Sequence, residues 1–189
     1  NGKYRVERQC LYTAYDALWQ VDLDEVMAEP TPQDIHVGGA AVGVLTRLAP
    51  WQADCILNLR LWCDGPQGRR QVRASFQQAL GAKAGEAAFD QFGELTSLVI
   101  QHAHRPLVRR RAHCPSVGVD ERVFCHLIDL ASAGHRTDAR LTAGLLVGAI
   151  YAKHVAALAR EVGQAHRDAA LATQTQIQTA PTDNVVRLH

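Results

Sequence analysis

Lysine is nearly absent: three residues against seventeen arginines, in a chain of 189 residues with 19 acids and a formal net charge of +1. A balance this close to neutral excludes bulk electrostatic capture of nucleic acid or an acidic membrane, although a local cluster of cations can still act. Aromatic residues are scarce at 6%. No run approaches the roughly 18 uninterrupted apolar residues of a membrane-spanning helix, so no membrane partner is expected. Enzyme signatures are missing too: there is no G-x-S-x-G, no Gly-rich phosphate loop ahead of a Lys and no G-x-G-x-x-G. Asp54, Asp64 and Asp90 have no carboxylate partner at a recognisable spacing and read as helix-surface or capping groups. The chain therefore leans away from catalysis.

Hydrophobic residues make up 47% of the chain, which excludes wholesale disorder and predicts one compact domain over residues 1–165 with a polar tail over 166–189. The 29 alanines and the preference for Arg over Lys read as the imprint of a GC-rich bacterial genome rather than of a function. Five cysteines, an odd number spread over a chain too long to need staples, are the pattern of reduced thiols in a cytoplasm, not of a secreted disulfide framework. Asn1, in place of an initiating Met, reads as the start of a trimmed chain.

Helical punctuation recurs along the chain and strand punctuation does not. Tyr4, Leu11, Tyr15 and Leu18 form one helical stripe, and Thr31-Pro32-Gln33-Asp34 reads as the start of a weak helix containing Gly38, Gly39 and Gly43. Pro50 opens a helix that ends at Gly65-Pro66; further helices are predicted over 68–80, 85–103, 120–133 and 138–163. The last of these is apolar almost all round, and Gly144, Gly148, Ala152 and Ala156 line a ridge open to a close neighbour. A helix of that kind belongs at the centre of a fold. The expectation is an all-α globular bundle of six or seven helices around a buried C-terminal long helix. A homodimer through that helix or through the tail is the alternative use of the same surface.

Charge is uneven beneath its sum. Six acids and no base lie between Cys10 and Thr46, whereas Arg105, Arg109, Arg110 and Arg111, with no acid among them, lie between Gln101 and Val119. Two complementary faces are one reading; an anion-binding or nucleic-acid-binding loop is the other. The helices over 120–133 and 138–163 have the outline of a helix-turn-helix, but the second lacks the polar face with which a recognition helix reads bases.

One stretch concentrates chemistry. Residues 102–126 hold four of the nine histidines and two of the five cysteines. Imidazole and thiolate are the usual ligands of zinc and softer metals, so His102, His113, Cys114, Cys125 and His126 are the candidate metal ligands, with zinc, an iron–sulfur cluster or haem as the cofactors considered. Cys125 points away from the stripe of Val123, Leu127 and Leu130, which marks it as less like a core thiol. His102 and His104 diverge by about 200° on a helix, and no C-x2-C, H-x3-H or H-E-x-x-H pair supports the set. Cys114, after three arginines, also suits a redox-responsive thiolate, because positive neighbours lower a thiol's pKa. The function expected is a non-catalytic binding or regulatory role.

The stretch Arg105-Pro106-Leu107 followed by Cys114-Pro115-Ser116-Val117-Gly118-Val119-Asp120-Glu121 resembles a segment of small all-helical bacterial proteins, Pro-Leu followed by Cys-x-Cys-x-Gly-x-Asp-Glu and a helix. Ser116 stands where that pattern has its second Cys. The resemblance implies a bacterial, helical, cytoplasmic protein and brings no activity with it.

Overall fold

A computed structural model describes residues 40–179; the Tyr4–Leu18 stripe, the acidic stretch up to Asp34 and Cys10 lie outside the described residues, as does the end of the tail. The weak helix expected to contain Gly43 is corrected to a strand, Ala41–Val44, in which no glycine has to meet the demands of a helix. The elements are β1 (Ala41–Val44), α1 (Pro50–Cys63), α2 (Pro66–Leu80), α3 (Ala82–His102), β2 (Ser116–Gly118), α4 (Val119–Ser132), α5 (Arg136–Leu146) and α6 (Ala149–Thr179). The architecture is predominantly α-helical, as the periodicity predicts. Among the described residues no helix is long and apolar enough to cross a membrane.

Local chemistry sets the helix ends. Pro50 and Pro66 occupy the first turns of α1 and α2, where a missing N–H costs nothing. Gly134 follows α4 with φ +85°, a left-handed conformation open to glycine. There the His135 N–H donates to the Leu130 carbonyl at 2.9 Å and the Gly134 N–H to that of Ala131 at 3.2 Å, a Schellman closure. The chain can then reverse into α5.

The long C-terminal helix is indeed central, packing against each of α1 to α5, but its limits and its burial differ from the sequence reading. Val147 is extended (φ −128°, ψ 162°) and splits the predicted 138–163 helix into α5 and α6. The break is held by Val147 pairing with Ala103 in a β-bridge and by the His104 N–H donating to the Leu146 carbonyl at 3.1 Å. Only one face of α6 is covered, the row Ala152, Val155, Ala159, Val162 and His166. That 3–4 spacing is the seam of an ordinary amphipathic helix. The ridge of small residues does not carry the close packing either: a Cβ on Gly144 would meet nothing within 4 Å, whereas one on Gly163 would lie 2.6 Å from the Ser132 Cβ. It is at Gly163 that α6 and α4 approach.

The expected boundary at 165/166 also falls inside an element, since α6 continues to Thr179. His166 is 2% exposed, its Nδ1 donating to the Val162 carbonyl at 2.9 Å and its ring 5.0 Å from that of Phe76. Composition alone marks the segment as polar, but the seam of α6 carries it into the core. Trp62, Phe89, Phe92 and Phe124 complete the aromatic centre.

A two-stranded antiparallel sheet, which the sequence pattern does not announce, pairs β1 with β2 through Ala41 and Gly118, Gly43 and Val117, and Val44 and Ser116. It ties the end of the 103–115 connection to the start of the described chain.

Candidate functional site

The connection between α3 and β2 is organised by two buried acids at the start of α4. Glu121 and Arg60 are both fully buried, Arg60 arriving from the middle of α1. Its Nε and Nη2 donate to the two Glu121 oxygens at 2.8 and 2.9 Å. The remaining donors reach the carbonyls of Arg111 at 3.2 Å, Cys114 at 2.6 Å and Ser116 at 2.7 Å. All five guanidinium N–H groups are thereby used. Glu121 is equally complete, because the backbone N–H groups of Arg110 and Gly118 each donate to it at 2.8 Å. The contact with Gly118 is the backward half of a capping box. A buried charge pair is tolerable only when its hydrogen-bonding capacity is filled in this way.

Asp120 repeats the device nearer the surface. Arg105 grips it with both Nη atoms at 2.7 Å, and the Val108 N–H donates to it at 2.8 Å. Burial pushes the Asp120 carboxyl up, but the Arg105 hydrogen bonds and the Val108 N–H outweigh it, leaving its pKa below the ordinary value. Arg109 turns to Asp64, 2.9 Å away, and donates to the Cys63 carbonyl at 3.2 Å.

The four predicted anion-binding arginines therefore have different fates. Arg105 and Arg109 are paired, Arg110 is 2% exposed, and Arg111 is exposed, its carbonyl used by Arg60. Much of the cation in the basic run is spent holding its own loop.

The predicted metal ligands are dispersed. His102 is half-buried with its ring stacked on Tyr151 at 3.7 Å, His113 and His126 are exposed, and Cys114 and Cys125 are buried. Among the described residues no three His, Cys, Asp or Glu groups gather where they could hold a metal ion, so the five do not form one centre. Adjacent positions on a helix, such as Cys125 and His126, face about 100° apart, and here one faces the core and the other solvent. Cys114 is 3% exposed and so lacks the access that a redox-responsive thiol needs.

Cys125 is a core residue after all. It is fully buried because α4 packs on α1, α5 and α6, covering both flanks of its apolar stripe. Its thiol donates to the Gln52 carbonyl at 3.9 Å and meets Cys55. The hydrogen bond with Cys125, then burial, push the Cys55 thiol well above its ordinary pKa. Such a thiol is chemically quiet.

Arg60 and Glu121 are the residues that sequence reasoning missed. An arginine between Leu59 and Leu61 in an apolar helix was the available signal, since Arg is seldom buried unless paired. No family model, no curated protein and no solved structure matches this chain.

Proposed function

We propose that the chain is a non-catalytic interaction protein that pairs with a second copy of itself through the corner between α5 and α6. The observation that carries this reading is the exposure of Leu141, Leu145 and Ile150, at 63%, 70% and 82%. Leu141 and Leu145 are one turn apart on α5, and Ile150 follows directly across the Val147–Gly148 break. Together they leave the greater part of three large aliphatic side chains in water, and an exposed apolar patch of this kind is often functional.

A second copy suits this corner by its shape. Gly144, between the two leucines, is open above its backbone, so each copy offers both a knob and a gap. A twofold interface needs that kind of self-complementarity. The exposed charges near it are mostly basic, Arg136, Arg140 and Lys153 against Asp138, so added salt should favour the pairing by screening their repulsion.

Sedimentation equilibrium of the full chain tests the reading. The expected result is a concentration-dependent dimer, weakened about tenfold or more by Leu145→Glu combined with Ile150→Glu, with circular dichroism unchanged. A monomer throughout the accessible range overturns it, and so does a dimer indifferent to both substitutions.

A further inference from the structure

Beside the stapled loop lies a cleft of about 510 Å³ lined by Asp64, Pro106, Leu107, Val108, Arg109 and Arg111. We infer that this cleft binds a small organic carboxylate, its head group on Arg111 and its apolar portion against Pro106, Leu107 and Val108. The inference is independent of the dimer.

The charge balance identifies the ligand's head. Two guanidinium groups face one carboxylate across the cleft, and Asp64 is already engaged by Arg109 at 2.9 Å. Arg111 is exposed, and among the described residues its side chain has no partner. One guanidinium therefore remains available, and its planar fork matches the two oxygens of a carboxylate. Asp64 and the Cys63 carbonyl engage the second cation, which adds field without offering a second socket. A polyphosphate or nucleic acid would want several free cations releasing several counterions. Arg105 and Arg110, which would have supplied them, are turned to Asp120 and into the protein interior.

The wall determines the rest of the ligand. Three consecutive apolar residues present hydrocarbon beside the cation, the composition of a site that orients an amphiphilic molecule with few polar groups. The wall is also held in place from behind. The Val108 N–H is fixed by Asp120, the Arg110 N–H by Glu121 and the Arg111 carbonyl by Arg60. Binding then needs little ordering of the loop, a cost that otherwise weakens small sites.

Titration of the full-length, isotope-labelled protein with benzoate, followed through its backbone amide resonances, tests this. Benzoate is expected to shift the amides from Leu107 to Arg111 saturably, while benzyl alcohol, which has the ring without the charge, does not. Arg111→Gln should weaken benzoate about tenfold and leave the remaining spectrum in place, since the described fold uses the Arg111 carbonyl and not its side chain. Leu107→Ala should weaken benzoate while leaving acetate unchanged. Absence of a saturable shift overturns the proposal, as does equal binding by Arg111→Gln. Inorganic phosphate binding as tightly as benzoate would overturn the role given to the apolar wall.

Discussion

Two regions of this protein treat polarity in opposite ways. At the head of α4 an arginine and a glutamate are fully buried. At the α5–α6 corner a leucine and an isoleucine stand 70% and 82% exposed. Each inverts the rule that places charge outside and hydrocarbon inside. The first inversion is closed, because every hydrogen-bonding group of Arg60 is matched within the chain. The second is open: nothing lies within 4 Å of a Cβ built on Gly144. An inverted region that is internally complete organises the fold, and the incomplete one is where the proposed dimer would form.

The sharpest way to break this comparison is to open the closed region. Arg60→Met leaves the buried Glu121 carboxyl without its counter-charge and the loop carbonyls without their donor, and about 3–5 kcal/mol of stability should be lost. Urea unfolding measures it. A loss below about 1 kcal/mol would mean that the loop 103–115 holds its shape without the pair.

A second, smaller effect should appear with pH, because two further desolvated groups, the His166 imidazole and the Asp54 carboxyl, oppose each other. Burial holds the His166 imidazole down at about 4 against an ordinary 6.5. Between those values the unfolded chain binds the additional proton, so this contribution is complete above about 6.5 and lost as pH falls towards 4. It amounts to about 3 kcal/mol. Burial pushes Asp54 the other way, from 3.8 to about 7, and among the described residues its Oδ1 has no hydrogen-bond partner. Here the folded state binds the additional proton, so stability is complete below 3.8 and lost as pH rises towards 7. Over the shared window the two slopes cancel, and the native profile should be nearly flat. Asp54→Asn should unmask a loss of stability on acidification. A native profile already falling steeply from pH 6.5 to 4 would show that Asp54 titrates normally.

The smallest effect sharpens the comparison within one loop. Arg105 grips Asp120 at two points, end-on through both Nη atoms where Arg60 uses Nε and Nη2 on Glu121, but its side chain is 62% exposed. Water screens that pair, so Arg105→Gln should cost far less than Arg60→Met in the same urea assay. Equal costs for Arg60 and Arg105 would mean that geometry rather than burial sets the value of these pairs.

Legibility followed the range of the interactions. Pro50, Pro66 and Gly134 announce helix ends from within a few residues, and the helices from α1 to α4 lie close to their predicted positions. The candidate site was not readable in the same way. Its histidines and cysteines cluster in sequence, but a helix fans neighbouring side chains about 100° apart, so His126 reached solvent and Cys125 the core. The pair that does organise the loop is separated by 61 positions and has no spacing rule to reveal it. The 138–163 pattern misled for a related reason. Apolar residues all round a helix imply burial only if the helix is continuous, and the bridge between Ala103 and Val147 interrupts it.

The amino-acid sequence by itself determined the helical class, most of the helix ends and the central place of the C-terminal helix. These depend on residues within a few turns of one another, where periodicity and capping operate. Only the tertiary structure decided which charges were sealed, which thiols were silent and which hydrocarbon was left in water. Burial is a property of what packs against a residue, and for Arg60, Cys125 and Leu145 that is settled by elements distant along the chain.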